Sequence, residues 1–274
     1  GMTMARLEQR EAGCVAPGDR LGGDGADPLR QCLLEFAFVI LWTGEMDLTG
    51  LLNPVFGGDQ CGQDLSFSPE FDEIAEARRE DDASLDQGEW VSALKAANWP
   101  RVAECCATLL VGRSKDLRIA GWLMEAWAHG DGLAGVARGF RLIDGLCDAF
   151  WDGIHPLPED DDQELRIGAL AWVAIHAPRW LRNSPLTDSS HGRYGLADLE
   201  DARGRDRQPA QSAGEHGAAA NVPVGTAQFE TARKTTPLAR FKAAAAEVDD
   251  CMSALDALEA TLVQRLGDEA PGWS

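Results

Sequence analysis

The stretch GDGLAGVARGFRLIDGLCDAFWDGIH, residues 130–155, decides the fold. Its first six residues match G-x-G-x-x-G, the turn that cradles a dinucleotide phosphate between a strand and a helix. That reading needs a strand before Gly130 and an acid at the end of a following strand. Instead a helical stripe precedes Gly130, and Asp152 falls on the same segment as the glycines. From Leu133 onward Val136, Ala137, Phe140, Ile143, Cys147, Phe150, Trp151 and Ile154 recur at the helical period. The glycines therefore read as a tight helix–helix turn with a close packing contact, and Leu133 to Ile154 as a long core helix.

The same period runs through the neighbours. Trp99, Val102, Ala103, Cys106, Leu109 and Leu110 share one face of a helix that Gly112 ends. Ser114 is placed to cap the next, with Leu117, Ala120, Gly121, Met124 and Trp127 on one stripe, widened by Trp122 and Leu123. Ser68-Pro69-Glu70 is a cap, a first-turn proline and an early acid. Leu165, Ala169, Leu170, Val173, Ala174 and Ala177 predict a further helix that Pro178 closes. Near Pro237 a long helix begins, with Leu238, Phe241, Ala245, Val248, Met252, Leu255, Leu262 and Leu266 at heptad spacing and Glu259 as a polar lapse. That stripe asks for a partner helix in this chain or in another copy.

The fold expected is all-α: a compact multi-helix domain of antiparallel helices, followed by a linker and a long C-terminal helix. Residues 1–45 read as an irregular extension, with Gly1 a tag remnant and Met46 a candidate natural start. Residues 46–185 form the helical domain. Residues 186–228, poor in aromatics and rich in Gly, Ala and Asp, read as a linker or poorly ordered loop, and 229–274 carry the long helix.

Composition bounds the function. The 274 residues are 45% apolar with nine Trp and nine Phe, enough for a sizeable core. Forty-five acidic against 25 basic residues leave a net charge of −20, which repels phosphate backbones and anionic headgroups and excludes nucleic acid as a main partner. Seven cysteines without a C-x-x-C read as reduced thiols of a cytosolic protein. The apolar run from Cys32 to Trp42 falls well short of the roughly 20 residues of a membrane span. A soluble, cytoplasmic protein with protein partners and no membrane insertion is expected.

One stretch looks chemical. FWDGIHPLPEDDDQELR, residues 150–166, sets His155 before two prolines and an acidic run. As a metal-dependent hydrolase, His155 would act with Asp160, Asp161 or Asp162. Every residue there also has a structural role: His155 at a helix end, Pro156 and Pro158 in an extended turn, Asp162 or a neighbour capping the next helix against the positive end of its dipole. A metal site needs ligands converging from several elements, and no spaced second half exists, so the structural reading stands. No cofactor is predicted. A third reading is a general helical peptide-binding module with a Trp-lined groove beside Trp122 or Trp127.

Taken together, these residues resemble a known family. PVFGGDQCGQDLSFSPEF (54–71), REDDASLDQGEW (79–90), NWPRVAECCATLLVGRSKDLRIAGWLMEAW (98–127), GLAGVARGFRLIDGLCDAFWDGIHPLPEDDD (132–162) and LRIGALAWV (165–173) are similar to the ImpA amino-terminal domain, which defines the TssA proteins of bacterial type VI secretion. YGLADLEDA (194–202) and the last helix look like its continuation. The resemblance implies an all-helical, non-catalytic assembly component, cytoplasmic, that primes the baseplate of a contractile tail-like apparatus and coordinates tube and sheath. It marks Asp116, Arg118, Trp122, Trp127, Trp151, His155, Asp161, Asp162 and Arg166 as signature and candidate contact residues. This sequence departs from the pattern in its residues 1–45, its long plain linker and its stop at Ser274, where the family usually continues into an oligomerising domain. Any self-association would run through the C-terminal helix, if its stripe pairs with another copy rather than folding back.

Overall fold

The computed structural model describes residues 48–81, 95–160, 162–207 and 224–273. Among these residues eight α-helices are formed: α1 Pro69–Arg78, α2 Trp99–Gly112, α3 Leu117–Asp131, α4 Leu133–Phe150, α5 Glu164–Asn183, α6 Leu196–Arg207, α7 Thr226–Thr235 and α8 Leu238–Leu266. Among the described residues β-structure is limited to isolated bridges. The all-α expectation holds.

Helix α4 is the centre. It packs against α3 on one side and α8 on another, while α3 also meets α2 and α5. Val136, Ala137, Phe140, Leu142, Ile143, Leu146 and Cys147 are all 1% exposed or less, and each large side chain contributes roughly 1.5–3 kcal/mol by leaving water. Gly132 alone joins α3 to α4. Its N–H donates to the Ala128 carbonyl at 3.0 Å, and its φ of 61° with ψ of −131° is open only to glycine. A Cβ on Gly135 would lie 2.1 Å from the Trp127 carbonyl oxygen, so the third glycine of the motif lets two helix backbones touch. The glycines serve helix packing, as the sequence implied.

Three boundaries differ from expectation. α4 stops at Phe150, not Ile154; the amides of Gly153 and Ile154 both donate to the Phe150 carbonyl, and this tightened turn keeps Ile154 buried on the same face. α3 is capped by Asp116, whose side chain accepts from the Arg118 N–H, rather than by Ser114. α5 runs through Pro178 to Asn183. Proline there forfeits one helical hydrogen bond, but Ala177 and Trp180 stay buried on the core face, which offsets that loss.

Within the stretch read as linker, α6 forms and packs on α7, held by Arg205 donating to the Val224 carbonyl and Thr226 to Asp206. Pro237 separates α7 from α8. On α8 the buried residues are Ala244, Cys251, Ala254, Leu258, Leu262 and Leu266. Leu238, Val248 and Met252, expected in the stripe, are 68%, 40% and 59% exposed. The small Ala and Cys side chains win the inner face because they let α8 lie close along α4. The partner helix is therefore in this chain.

Candidate functional site

Most of the signature residues meet between α2 and α3. Residues 114–116 run extended there, flanked on both sides by chain. On one side Gln63 N–H donates to the Arg113 carbonyl (3.0 Å) and Lys115 N–H to the Cys61 carbonyl (2.7 Å). On the other, His155 N–H donates to the Lys115 carbonyl and Leu117 N–H to the His155 carbonyl, both at 2.9 Å. Three segments far apart in sequence are thus stitched by backbone bonds. The approach is close enough that a Cβ on Gly62 would sit 2.1 Å from the Arg113 carbonyl oxygen, and Gly62 has a φ of +75°.

The charged side chains of this joint are spent inside it. Asp116 is fully buried and accepts from the Arg118 backbone N–H (2.8 Å), from its Nε (3.0 Å) and from its Nη2 (2.6 Å). Arg118 also donates to Ser66 Oγ (2.9 Å) and lies 5.0 Å over Phe71. Burial opposes its charge, yet Asp116 and Asp64 raise its pKa. Arg166, 1% exposed, donates from Nε to the Pro156 carbonyl and from Nη2 to that of Ile154, and stacks 5.0 Å over Trp151. Lys115, also fully buried, donates from Nζ to the Leu51 (2.8 Å) and Leu110 (2.5 Å) carbonyls. Burial pulls it down to about 8.

His155 does not face the acids. It precedes a cis peptide to Pro156, is 5% exposed, and its Nε2 lies 3.4 Å from the Gly62 carbonyl oxygen. It lies in the extended joint, not at a helix end as the sequence reading had it. Asp162 accepts from the Glu164 N–H at the start of α5, which is the capping role expected for it. Asp160 occupies a turn at φ 49°, and Asp161 lies outside the described residues. Among the described residues no group of three or more His, Cys, Asp or Glu is arranged to hold a metal ion. Among the described residues His155 is thus not paired with Asp160 or Asp162, the acids the hydrolase reading named.

The tryptophans divide. Trp151 is part of the joint. Trp127 is buried between α3 and α4 under Arg138, 4.6 Å from its ring. Trp122 is half-buried at the surface where α1, α3 and α5 meet; Phe71 packs on it edge-to-face, and Arg78 lies 5.3 Å from Trp122 and 5.2 Å from Trp172 while pairing with Glu125 at 2.7 Å. Sequence reasoning missed Lys115, whose setting in a charged run gives no sign of burial. It also missed Phe56 and Phe67, both fully exposed.

No described helix is long and apolar enough to cross a membrane. The family model described as ImpA, N-terminal, type VI secretion system matches residues 52–174. The chain is 37% identical over 128 residues to the type VI secretion system component TssA1 of Pseudomonas aeruginosa, a stretch covering 46% of this chain. It spans 37% of that relative's length. Its fold is similar to the solved N-terminal domain, including the conserved ImpA_N region, of the TssA component of the type VI secretion system from Burkholderia cenocepacia. There the TM-score is 0.70 and the identity 37%, over 84% of this chain and 87% of that one. A fold and a sequence shared over that much of a TssA N-terminal domain place this chain in the ImpA N-terminal, TssA-like family.

Proposed function

We propose that the chain is a non-catalytic assembly component of a type VI secretion apparatus, acting in the cytoplasm through contacts with baseplate, sheath or tube proteins. The observation that carries this reading is the 37% identity to a TssA N-terminal domain across 87% of its length. The geometry supports it in a second way. The signature residues Asp116 and Arg166, with Lys115 beside them, are engaged as internal joints, all three buried and bonded within the fold. What remains on the surface is acidic and suited to protein docking.

The test is direct binding. Purified baseplate, sheath and tube proteins encoded beside this gene are passed over the immobilised chain. The reading expects at least one to bind with a defined stoichiometry. A well-folded chain that binds none of them would refute it.

A further inference from the structure

Two aromatic rings stand entirely in water: Phe56 and Phe67 are 99% and 103% exposed. Both sit on the loop from Leu51 to Ser68 that leads into α1. The loop around them is fixed. Leu51, Val55, Cys61 and Leu65 are its buried anchors. The Val55 N–H donates to the Gln60 carbonyl at 2.9 Å, closing the turn that carries Phe56. The Ser68 N–H donates to the Leu65 carbonyl at 3.0 Å, and Asp64 accepts from the Ser66 N–H at 2.9 Å, so Phe67 is equally held. A solvent-facing aromatic on an ordered backbone has only its own two side-chain torsions to fix on binding, with no loop left to order, which suits a binding anchor.

The neighbouring loop touches this one where His155 meets Gly62 and where a Cβ on Gly153 would lie 2.9 Å from Cys61 Sγ. It adds Leu157, 47% exposed. Charge defines what fits. Arg118 is taken by Asp116 and Asp64, and Arg113 by Glu70. Asp59, Glu159, Asp160 and Asp162 make no ion pair among the described residues. Asp59 thus shares the turn of Phe56, and Glu159 and Asp160 lie on the neighbouring loop, so this side of the molecule carries carboxylates without a cationic partner among the described residues. A second copy of this chain would set those carboxylates against their own kind.

We propose that Phe56 and Phe67 are the anchors by which this chain docks a different protein, one presenting apolar pockets flanked by lysine or arginine. The inference rests on the assembly reading above and names the surface it uses. The probes are the purified baseplate, sheath and tube proteins, titrated against the full chain, its F56S/F67S variant and a control, M252S, on the exposed side of α8. Both phenylalanines lie outside the core, so all three chains are expected to melt alike. The expected result is binding weakened about tenfold or more in F56S/F67S, unchanged in M252S, and reduced by added salt in the wild type. Equal binding by wild type and F56S/F67S would overturn this inference while leaving the assembly reading intact. No binding by the wild type would refute both. A wild-type dimer that F56S/F67S dissociates would show the occupant to be a second copy and overturn the proposal.

Discussion

Asp116 and Lys115 are adjacent and equally buried, yet they bear on stability in different ways. Asp116 has a cation. Removing it takes the nearer carboxylate from the Arg118 guanidinium, whose side chain is 26% exposed, and leaves it Asp64 at 3.3 Å. Asp116→Ala is expected to lower stability by about 3 kcal/mol, the low end for breaking a buried pair, as read by urea unfolding. Lys115 has carbonyls alone, and burial holds its pKa at about 8 against an ordinary 10.5. The unfolded chain keeps this proton up to 10.5 while the folded chain releases it near 8. The unfolded state therefore binds more protons across that window, and this residue makes stability rise with pH there. Cysteines oppose the trend, since burial raises Cys147 to about 12 and Cys251 to about 11. The prediction is thus a difference: from pH 8 to 10.5 wild type gains stability relative to Lys115→Met, and parallel curves would contradict it. In the sequence Ser114-Lys-Asp-Leu-Arg118 is legible only as one piece of the family's combined pattern. Its burial is not, because the segments that cover it lie some fifty residues before and forty after it in the chain, and local pattern carries no such information.

At the scale of elements the glycines give the sharpest contrast. Gly135→Ala would drive a methyl into the Trp127 carbonyl and force α3 and α4 apart, at a cost of about 3 kcal/mol. Gly168, inside α5, has nothing within 4 Å of its Cβ position, so Gly168→Ala should stabilise by about 0.5–1 kcal/mol. Thermal melts of the two variants should move in opposite directions. Phe140, 1% exposed and edge-on to Trp273 at 5.6 Å, should cost about 3–5 kcal/mol on truncation to alanine. The α2, α3 and α4 helices were legible because their apolar residues keep one period over several turns. α6 was not, since it lacks an apolar stripe and is stabilised by α7 and by side-chain bonds to it. The inner face of α8 was misjudged for a related reason. Its alanines and cysteine are too small to outweigh Leu238, Val248 and Met252 in a pattern count, although small residues are what close packing on α4 requires.

For the whole molecule, charge and topology point the same way. A surface at net −20 suits a cationic or pocketed protein partner and disfavours nucleic acid. Folding α8 back along α4 completes the core within one chain, so the apolar residues left outside are available to others. The family was legible in the sequence because the Ser114–Arg118 run, the glycine turn and Trp151 with His155-Pro156 occur together. The docking face was not, because the exposure of Phe56 and Phe67 depends on which of their neighbours anchor the loop. We propose above that this chain helps build the secretion apparatus by contact. Counting fluorescent sheaths in cells that lack the gene tests it most directly. Sheaths should be lost or sharply reduced, and restored by the wild-type chain but not by F56S/F67S. Sheath numbers unchanged by deletion would contradict the account.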